Sequence, residues 1–387
     1  MIAFTSRTLY TPLQAITNPL VLVENGAIVS LGSRDECEIP ANSQLHDFAD
    51  SIIAPGLIDI HIHGSVGYDV MQSDSTARAK FESFLAQRGV TTYCPTTVTA
   101  PMDATLSALE NIAAAIESAT SPAAPRKSAQ PIGIHLEGPF LSHSCRGVHP
   151  PEHLVSPSVQ HFEKMWNAAR GHVRIMTVAP ELDGAADLIS EATRRGVCIS
   201  LGHSNATLDA ARAGVAAGGR HATHTFNAMR PLSHRDPGIL GEVLTNPSLT
   251  ADVIADGIHV DPVIVKLLAK SKGSEGLVLI TDAMAAAGMP DGQYRLGSMD
   301  VELKQGRCTV NGTLAGSTLS LDRALQNVMK FAGLDLQQSL RAASLNPARV
   351  AGVQKKGIIE SGADADFVLL GPEGQVRATV IRGELLQ

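Results

Sequence analysis

The 387-residue sequence predicts an α/β fold, a (β/α)8 TIM barrel with a small β-sandwich domain formed by the N- and C-terminal segments. Two observations indicate this fold. Through the middle of the chain, short apolar runs alternate with Ala-rich stretches of helical period, and eight such alternations span about 275 residues, a typical length for the barrel. Both chain ends instead carry short β-branched runs bracketed by turn residues. We therefore expect a sandwich domain at 1–54 plus 345–387 and a barrel at 55–344.

The predicted elements of the barrel follow one another in a regular order. The eight strands are expected at 58–63, 90–95, 131–137, 173–178, 197–202, 221–226, 249–255 and 276–281. Helices are expected at 76–87, 104–117, 158–169, 185–195, 208–217 and 262–270, with a shorter one near 238–244 and a closing one at 318–331. A doubly wound open sheet is the alternative, but no G-x-G-x-x-G motif follows the first strand and no Walker A motif is present.

Composition excludes several classes of function. With 31 Lys and Arg against 38 Asp and Glu, the formal charge is −7, which argues against nucleic-acid or anionic-membrane partners. No apolar run reaches the length of a membrane span, and the first residues lack the features of a signal peptide. The five cysteines form no Cys-x-x-Cys pair, which fits a reducing, cytoplasmic location.

Potential metal ligands fall where the predicted strands end. In a barrel of this kind the active site lies at the carboxyl ends of the strands. Each residue alone has an ordinary interpretation as a buried polar group, but together they predict a metal-dependent hydrolase. The set comprises His61 and His63 on strand one, Glu137 on strand three, His203 on strand five, His224 on strand six and Asp282 on strand eight.

The chemistry of this set is consistent with hydrolysis. Imidazole and carboxylate ligands bind zinc-like divalent ions and leave a position for water, whose pKa the metal lowers. Asp282 is then expected to take a proton from the water and pass it to the leaving amine. Glu137 is placed to bridge two ions. We interpret His135 and His221, which lie on the same strands, as structural.

Eight sequence segments carry a resemblance to a known family. They are APGLIDIHIHG, HLEGPF, GHSNAT, HTFNAM, DPGILG, ADGIHV, LITDAM and LAGS, and they extend along most of the chain. In order and spacing the chain resembles the amidohydrolase superfamily and, within it, the N-acetylglucosamine-6-phosphate deacetylases. The resemblance implies the same barrel with a small β-sandwich, and removal of acetate from an N-acetylated amino-sugar phosphate.

The resemblance also implies roles for the metal-site residues. Glu137, His203 and His224 match the site shared across the family, and Asp282 matches its catalytic acid and base. The pair His61 and His63 matches a second site that only some members retain. One or two divalent ions per subunit are therefore expected, with zinc favoured and iron, cobalt or manganese also compatible.

Further residues are implied to contact the substrate. Arg235 matches a phosphate-binding residue that the neighbouring subunit supplies in the family, which implies a homodimer with shared sites. Cys145, in the same loop as His149, has no role that the reaction requires. The implied substrate-binding residues are Val148, His149, Asn227, Ala228, Arg235, His259, Ala315, Gly316 and Ser317.

Three other functions are weighed against this one. Dihydroorotases and hydantoinases, which act on cyclic amides, use a carboxylated Lys where this chain has Glu137, which argues against them. A catalytically inactive relative serving as a scaffold should have lost ligands, whereas all of them are present here. A deacetylase for N-acetylgalactosamine-6-phosphate stays open, because the two sugars differ only in the orientation of one hydroxyl.

Overall fold

The computed structural model describes residues 1–72, 74–121 and 127–386. The chain begins with five strands whose buried positions are mostly apolar. The fifth of them ends at Pro55, two residues before the first barrel strand begins. These strands are β1 (Ile2–Tyr10), β2 (Ala15–Thr17), β3 (Pro19–Glu24), β4 (Ala27–Ser33) and β5 (Gln44–Pro55).

Eight parallel strands then form the predicted barrel in the order β6-β9-β11-β12-β13-β14-β15-β16. Strands such as β9 and β16 are buried along their whole length, as expected for parallel strands covered by helices. The strands of this region, with the hairpin β7–β8 and the short β10, are β6 (Leu57–Ile62), β7 (Gly64–Ser65), β8 (Tyr68–Asp69), β9 (Val90–Thr97), β10 (Gln130–Pro131), β11 (Ile134–Glu137), β12 (Val173–Val178), β13 (Cys198–Leu201), β14 (Gly219–Ala222), β15 (Thr250–Ile254) and β16 (Leu277–Ile280).

Helices connect the strands and cover the barrel. Several begin at polar caps: Asp74 accepts the backbone N–H groups of Thr76 and Ala77, and Asp335 forms a capping box with Gln338. The helices are α1 (Ser75–Gln87), α2 (Met102–Thr120), α3 (Val159–Ala168), α4 (Ala185–Arg194), α5 (Leu208–Ala217), α6 (Gly238–Thr245), α7 (Pro262–Gly276), α8 (Leu321–Ala332), α9 (Leu336–Ala343) and α10 (Leu345–Val350). Among the described residues, none of these helices combines the length and apolar character that crossing a bilayer requires.

A four-stranded antiparallel sheet, which we call the roof sheet, follows the last barrel strand. It comprises β17 (Gly292–Leu296), β18 (Met299–Lys304), β19 (Arg307–Val310) and β20 (Thr313–Leu314). Its buried side chains form an apolar cluster separate from the main core, together with Val98 and residues that follow β16. The sequence analysis did not predict this sheet.

The last three strands join the first five in one eight-stranded sheet. They are β21 (Phe367–Leu370), β22 (Val376–Ile381) and β23 (Glu384–Leu386). The order is β23-β22-β21-β5-β1-β3-β4, with β2 paired to β1, and the sheet has its own apolar cluster. The predicted β domain from both chain ends is thus confirmed.

The barrel closes where its first and last strands meet. The Asp59 carboxylate of β6 accepts the Thr281 hydroxyl at 2.6 Å, and the Asp282 N–H donates to the His61 carbonyl at 2.9 Å. A parallel bridge between Ile62 and Ala283 completes the seam. These two strands are therefore joined by a side-chain hydrogen bond, a backbone hydrogen bond and an isolated bridge, at the point where the predicted ligands lie.

Candidate active site

The six predicted ligands lie together at the carboxyl ends of the barrel strands. Glu137, 3% exposed, is at the centre of the group. Its Oε1 lies 3.0 Å from the Nε2 of His224 and 3.2 Å from the Nε2 of His203. Its Oε2 lies 3.3 Å from the Nε2 of His63. Residues far apart in sequence therefore converge as the barrel geometry predicts.

A second group of contacts surrounds the histidine pair of β6. The Nε2 atoms of His61 and His63 are 3.2 Å apart, as their two-residue spacing on one strand face allows. Asp282 Oδ1 lies 3.1 Å from His63 Nε2 and 3.5 Å from His61 Nε2. These three residues and Glu137 thus form one continuous cluster of nitrogen and oxygen atoms.

The hydrogen bonds of the histidines prepare them to bind a cation. The Nδ1 of His63 contacts the Thr96 carbonyl at 3.0 Å, and the Nδ1 of His203 contacts the Cys145 carbonyl at 2.9 Å. A carbonyl oxygen only accepts, so Nδ1 carries a ring hydrogen, and once Nε2 gives up its proton to a metal ion its lone pair faces the cluster. This donor set fits a divalent metal ion.

The electrostatics of the cluster also favour a cation. Burial opposes the charge of Glu137, but His61 and hydrogen bonds from the surrounding imidazoles lower its pKa well below the usual range. Burial disfavours protonated His63, yet Asp282 and Glu137 raise the pKa of that imidazole to about 10. The carboxylates therefore stay ionised and attract positive charge into a buried site.

Three of these residues have a strained backbone conformation that orients their side chains. His203, His224 and Asp282 have φ of 46°, 28° and 50°, in the left-handed region that non-glycine residues rarely adopt. For His224, the buried carboxylate of Asp252 accepts the backbone N–H, and its other oxygen lies 2.9 Å from His221 Nε2. These bends end β14 at Ala222, so the predicted strand 221–226 is shorter than expected.

His149 joins the cluster in a different state. Its Nε2 lies 3.5 Å from Glu137 Oε2, and its Nδ1 accepts the backbone N–H of Thr99 at 3.2 Å. Because an N–H group can only donate, the ring hydrogen of neutral His149 is on Nε2. Although Glu137, His149 and His203 are close enough to hold a metal, His149 is set up as a hydrogen-bond donor and His224 is the better third ligand.

The remaining histidines of the barrel interior are engaged with the protein. His135 contacts the Ile60 carbonyl through Nδ1 at 3.0 Å and the Thr177 hydroxyl through Nε2 at 2.8 Å. Burial lowers the pKa of His135 well below its usual range. His221 uses Nδ1 on the Thr250 hydroxyl as well as Nε2 on Asp252. These contacts fit the structural interpretation of both residues.

A cavity of about 270 Å³ opens above the cluster. His259 presents Nε2 to it, because its Nδ1 contacts Asp256 at 2.7 Å. Ser317 does not line the cavity, and its hydroxyl donates to the Thr281 carbonyl at 2.6 Å. Predicted substrate-binding residues along its wall are Val148, His149, Asn227, Ala228, His259, Ala315 and Gly316.

Arg235 lies exposed on the loop before α6 and does not line this cavity. Within the described part of the chain, no lysine or arginine does so. The Cys145 side chain is also absent from the lining, and this residue contributes the carbonyl that orients His203. The described residues of one copy thus place no lysine or arginine at the cavity.

Some residues that line the cavity were not predicted from the sequence. Val98, Leu296, Thr313 and Leu314 also line the cavity, and three of the four belong to the roof sheet. Asp252 accepts the backbone N–H of His224, and the Thr99 N–H donates to His149. Asp252 did carry a signal, since a carboxylate within an apolar strand is costly unless it is paired.

Comparison with known proteins agrees with this geometry. Residues 52–386 match the model of the amidohydrolase family. An N-acetylglucosamine-6-phosphate deacetylase from Bos taurus is 39% identical over 359 residues, covering 88% of this chain and 84% of that protein. The Vibrio furnissii deacetylase of the same name is 36% identical, with 94% and 89% covered. An N-acetylgalactosamine-6-phosphate deacetylase from Escherichia coli O157:H7 is 37% identical, with 86% and 87% covered.

A solved structure shows the same fold over nearly the whole chain. It is a mutant of N-acetyl-D-glucosamine-6-phosphate deacetylase from Mycobacterium smegmatis in complex with N-acetyl-D-glucosamine-6-phosphate, with a TM-score of 0.91 and 32% identity. The match covers 99% of this chain and 98% of that one. The chain is therefore a metal-dependent hydrolase that acts as a deacetylase, and it belongs to the amidohydrolase family and, within it, to the N-acetylglucosamine-6-phosphate deacetylases.

Proposed function

We propose that the chain hydrolyses the N-acetyl group of N-acetylglucosamine-6-phosphate, giving glucosamine-6-phosphate and acetate. The observation that carries this proposal is the convergence of four imidazoles and two carboxylates beneath a cavity with a hydrogen-bond donor, His149, at its edge. The names of the relatives supply the substrate. Amide hydrolysis needs an activated water, a polarised carbonyl and a proton for the leaving nitrogen, and this cluster can serve all three.

Two groups of residues would hold the metal. Glu137, His203 and His224 form the first site, and His61 and His63 form the second, with Glu137 between them. When bound, a divalent ion lowers the pKa of a water molecule and polarises the amide carbonyl. Zinc is our preferred ion, because two imidazoles with one carboxylate, as in the first site, are a typical zinc ligand set.

Asp282 is the proposed proton carrier. Burial raises the pKa of this carboxyl group, but the hydrogen bond from His63 and the charge of His61 dominate and lower it to about 2. The carboxylate is therefore ionised at neutral pH, as a base must be. It takes a proton from the attacking water and returns it to the amine as the carbon–nitrogen bond breaks.

His149 and the polar wall orient the substrate. The Nε2–H of His149 donates to the carbonyl oxygen of the acetyl group, where negative charge develops during attack. Asn227, the Ala228 backbone and His259 contact the sugar, with Ala315 and Gly316 shaping the floor beside Asp282. Because Thr99 fixes the ring hydrogen of His149, this donor is in place before the substrate arrives.

Arg235 is proposed to bind the phosphate from a second copy of the chain, in a homodimer. The absence of a lysine or arginine among the described cavity residues supports this role, as does the family's shared site. Exposed apolar side chains also occur on the loop of Arg235 and on α7: Leu232 is 47% exposed, and Val263 and Leu267 on one face of α7 are 71% and 44% exposed. Such side chains are typical of an interface.

Two further proposals concern the context of the enzyme. Residues 1–54 and 345–387 would form the accessory β domain, and 55–344 the catalytic unit. The protein would work in the cytoplasm, since its five cysteines are unpaired and a reducing compartment maintains that state. The N-acetylgalactosamine-6-phosphate reaction is the second candidate function, favoured by the relative of 37% identity that bears this name.

The test is acetate release by the metal-loaded protein, with the two sugar phosphates offered side by side. A preference for the glucosamine compound is expected, and a preference for the galactosamine compound would change the substrate but retain the mechanism. Release from neither would contradict the proposal.

Mixing two impaired variants, assayed at a substrate concentration well below KM, tests the shared site. If Arg235 acts across the interface, Arg235→Ala subunits exchanged with Asp282→Asn subunits form mixed dimers with one intact site. Activity should then return to about a quarter of the wild-type level, as random pairing in a two-fold dimer predicts. No recovery after exchange would place Arg235 in its own subunit's site or outside the reaction.

A further inference from the structure

One wall of the cavity is apolar. Val98, Val148 and Leu296 line it, from three distant parts of the chain. Val98 and Leu296 are each 3% exposed and belong to the roof-sheet cluster, and Val148 packs against the same cluster. The reaction centre and the sugar-facing residues are polar, so this wall is the part of the cavity suited to an alkyl group.

The position of Leu296 is fixed by its neighbour Gly297. The buried Asp69 carboxylate accepts the Gly297 N–H at 2.6 Å through Oδ2 and the Met71 N–H at 2.8 Å through Oδ1. Gly297 has φ of 56°, and a Cβ atom there would lie 2.6 Å from Val98 Cγ2. The turn at Gly297, which only glycine fits, therefore lies directly against Val98 and fixes the end of the strand that brings Leu296 into the same apolar cluster.

The wall also lies beside the proposed carbonyl donor. Val148 directly precedes His149, and Val98 directly precedes Thr99, whose N–H contacts His149. The carbonyl carbon of the substrate carries an oxygen, the sugar nitrogen and a methyl group. If the oxygen faces His149 and the nitrogen leads to the sugar beside Asn227 and His259, the methyl group faces the apolar wall.

We propose that Val98, Val148 and Leu296 form an acyl-selecting wall that accepts the methyl group of an acetyl amide and excludes longer acyl chains, with Leu296 as its specificity-determining residue. This inference rests on the proposed function and adds the acyl group to it. Leu296 acts by filling the space that the second and third carbons of a longer chain need.

The test compares hydrolysis of N-acetyl- and N-butyryl-glucosamine-6-phosphate by the metal-loaded enzyme. The wild type should prefer the acetyl compound, and Leu296→Ala should raise the butyryl-to-acetyl ratio of kcat/KM by about tenfold or more, since one methylene changes such ratios by roughly 10–200-fold. Val98→Ala, on the opposite side of the contact, should move the ratio in the same direction.

Leu303→Ala is the matched control. Leu303 is 4% exposed in the same cluster but does not line the cavity, so its loss loosens the roof sheet without opening the wall. It should leave the wild-type ratio unchanged. An unchanged ratio in both Leu296→Ala and Val98→Ala, or an equal rise in Leu303→Ala, would overturn the proposal.

The wild-type enzyme separates this inference from the proposed function. Acetate release without a preference for acetyl over butyryl would refute the wall and leave the deacetylase reaction standing. No release from any acyl compound would refute the function, and the wall with it.

Discussion

The reaction centre and the roof sheet serve the same cavity and are built in different ways. The centre is made of polar side chains at strand ends, on strained backbone that buried carboxylates hold in place. The roof sheet contributes apolar side chains and is attached through Asp69. We therefore expect substitutions in the centre to alter the rate for all substrates, whereas substitutions in the roof sheet should alter the preference of the enzyme among acyl substrates.

The strongest way to test this division is Asp282→Asn. We expect kcat to fall by about a thousandfold, because general acid–base groups contribute roughly 10²–10⁴-fold. Metal content, measured by elemental analysis, should stay near the wild-type value, since the five proposed metal ligands are intact. The acyl preference of the residual activity should not change. Full activity in this variant would show that another group carries the proton.

Arg235→Ala tests phosphate binding, a role that we assign to neither the reaction centre nor the roof sheet. KM for the phosphorylated sugar should rise by about 10–100-fold, as the loss of a charged hydrogen bond implies. Arg235→Lys should be less affected, because it retains the charge but not the bidentate fork. Equal changes in KM for the phosphorylated and unphosphorylated sugars would exclude a phosphate role.

Asp252→Asn tests whether the carboxylate that accepts the His224 N–H contributes to metal binding at the reaction centre. Without a charged acceptor for the His224 N–H, we expect metal affinity to fall by about tenfold, the lower end for residues that orient ligands. The measurement is the rate of metal loss to a chelator. Asp69→Asn is the control, since it alters an equally buried carboxylate of the roof attachment. Equal metal loss in both would contradict the division.

The smallest effect is expected from Asp69→Ala. The free energy of unfolding should fall by about 1–3 kcal/mol, because the Gly297 and Met71 N–H groups lose their acceptor. The butyryl-to-acetyl ratio should rise less than in Leu296→Ala, as the turn shifts but the side chain stays. The checks are denaturant unfolding and the two-substrate assay, and a lower kcat with an unchanged ratio would argue that the roof sheet serves the centre instead.

The two regions also differ in how far the sequence predicts them. The barrel strands and the converging ligands follow from local periodicity and from the rule that strand ends share a face. The roof sheet had local signals, since 291–314 contains Gly-Ser, Gln-Gly and Asn-Gly turns between alternating residues. Its contact with Val98 had none, because packing between Leu296 and a side chain about two hundred residues away is a tertiary property.

Backbone conformation was the other unpredictable feature. Positive φ values at His203, His224 and Asp282 shorten the strands and orient the side chains. His and Asp adopt positive φ more often than most residues, but it is uncommon even for them, so residue type alone does not predict it. The ring hydrogen of His149 likewise depends on the Thr99 N–H, fifty residues away. Such features follow from the assembled fold and not from any single segment.

The seam of the barrel has a consequence for biosynthesis. His61 and His63 leave the ribosome early, whereas Asp282 follows more than two hundred residues later and reaches them only when the last strand docks beside Asp59. A nascent or truncated chain can therefore form most of the barrel and still lack the group that moves the proton. Catalysis in this molecule begins only when synthesis has passed the eighth strand.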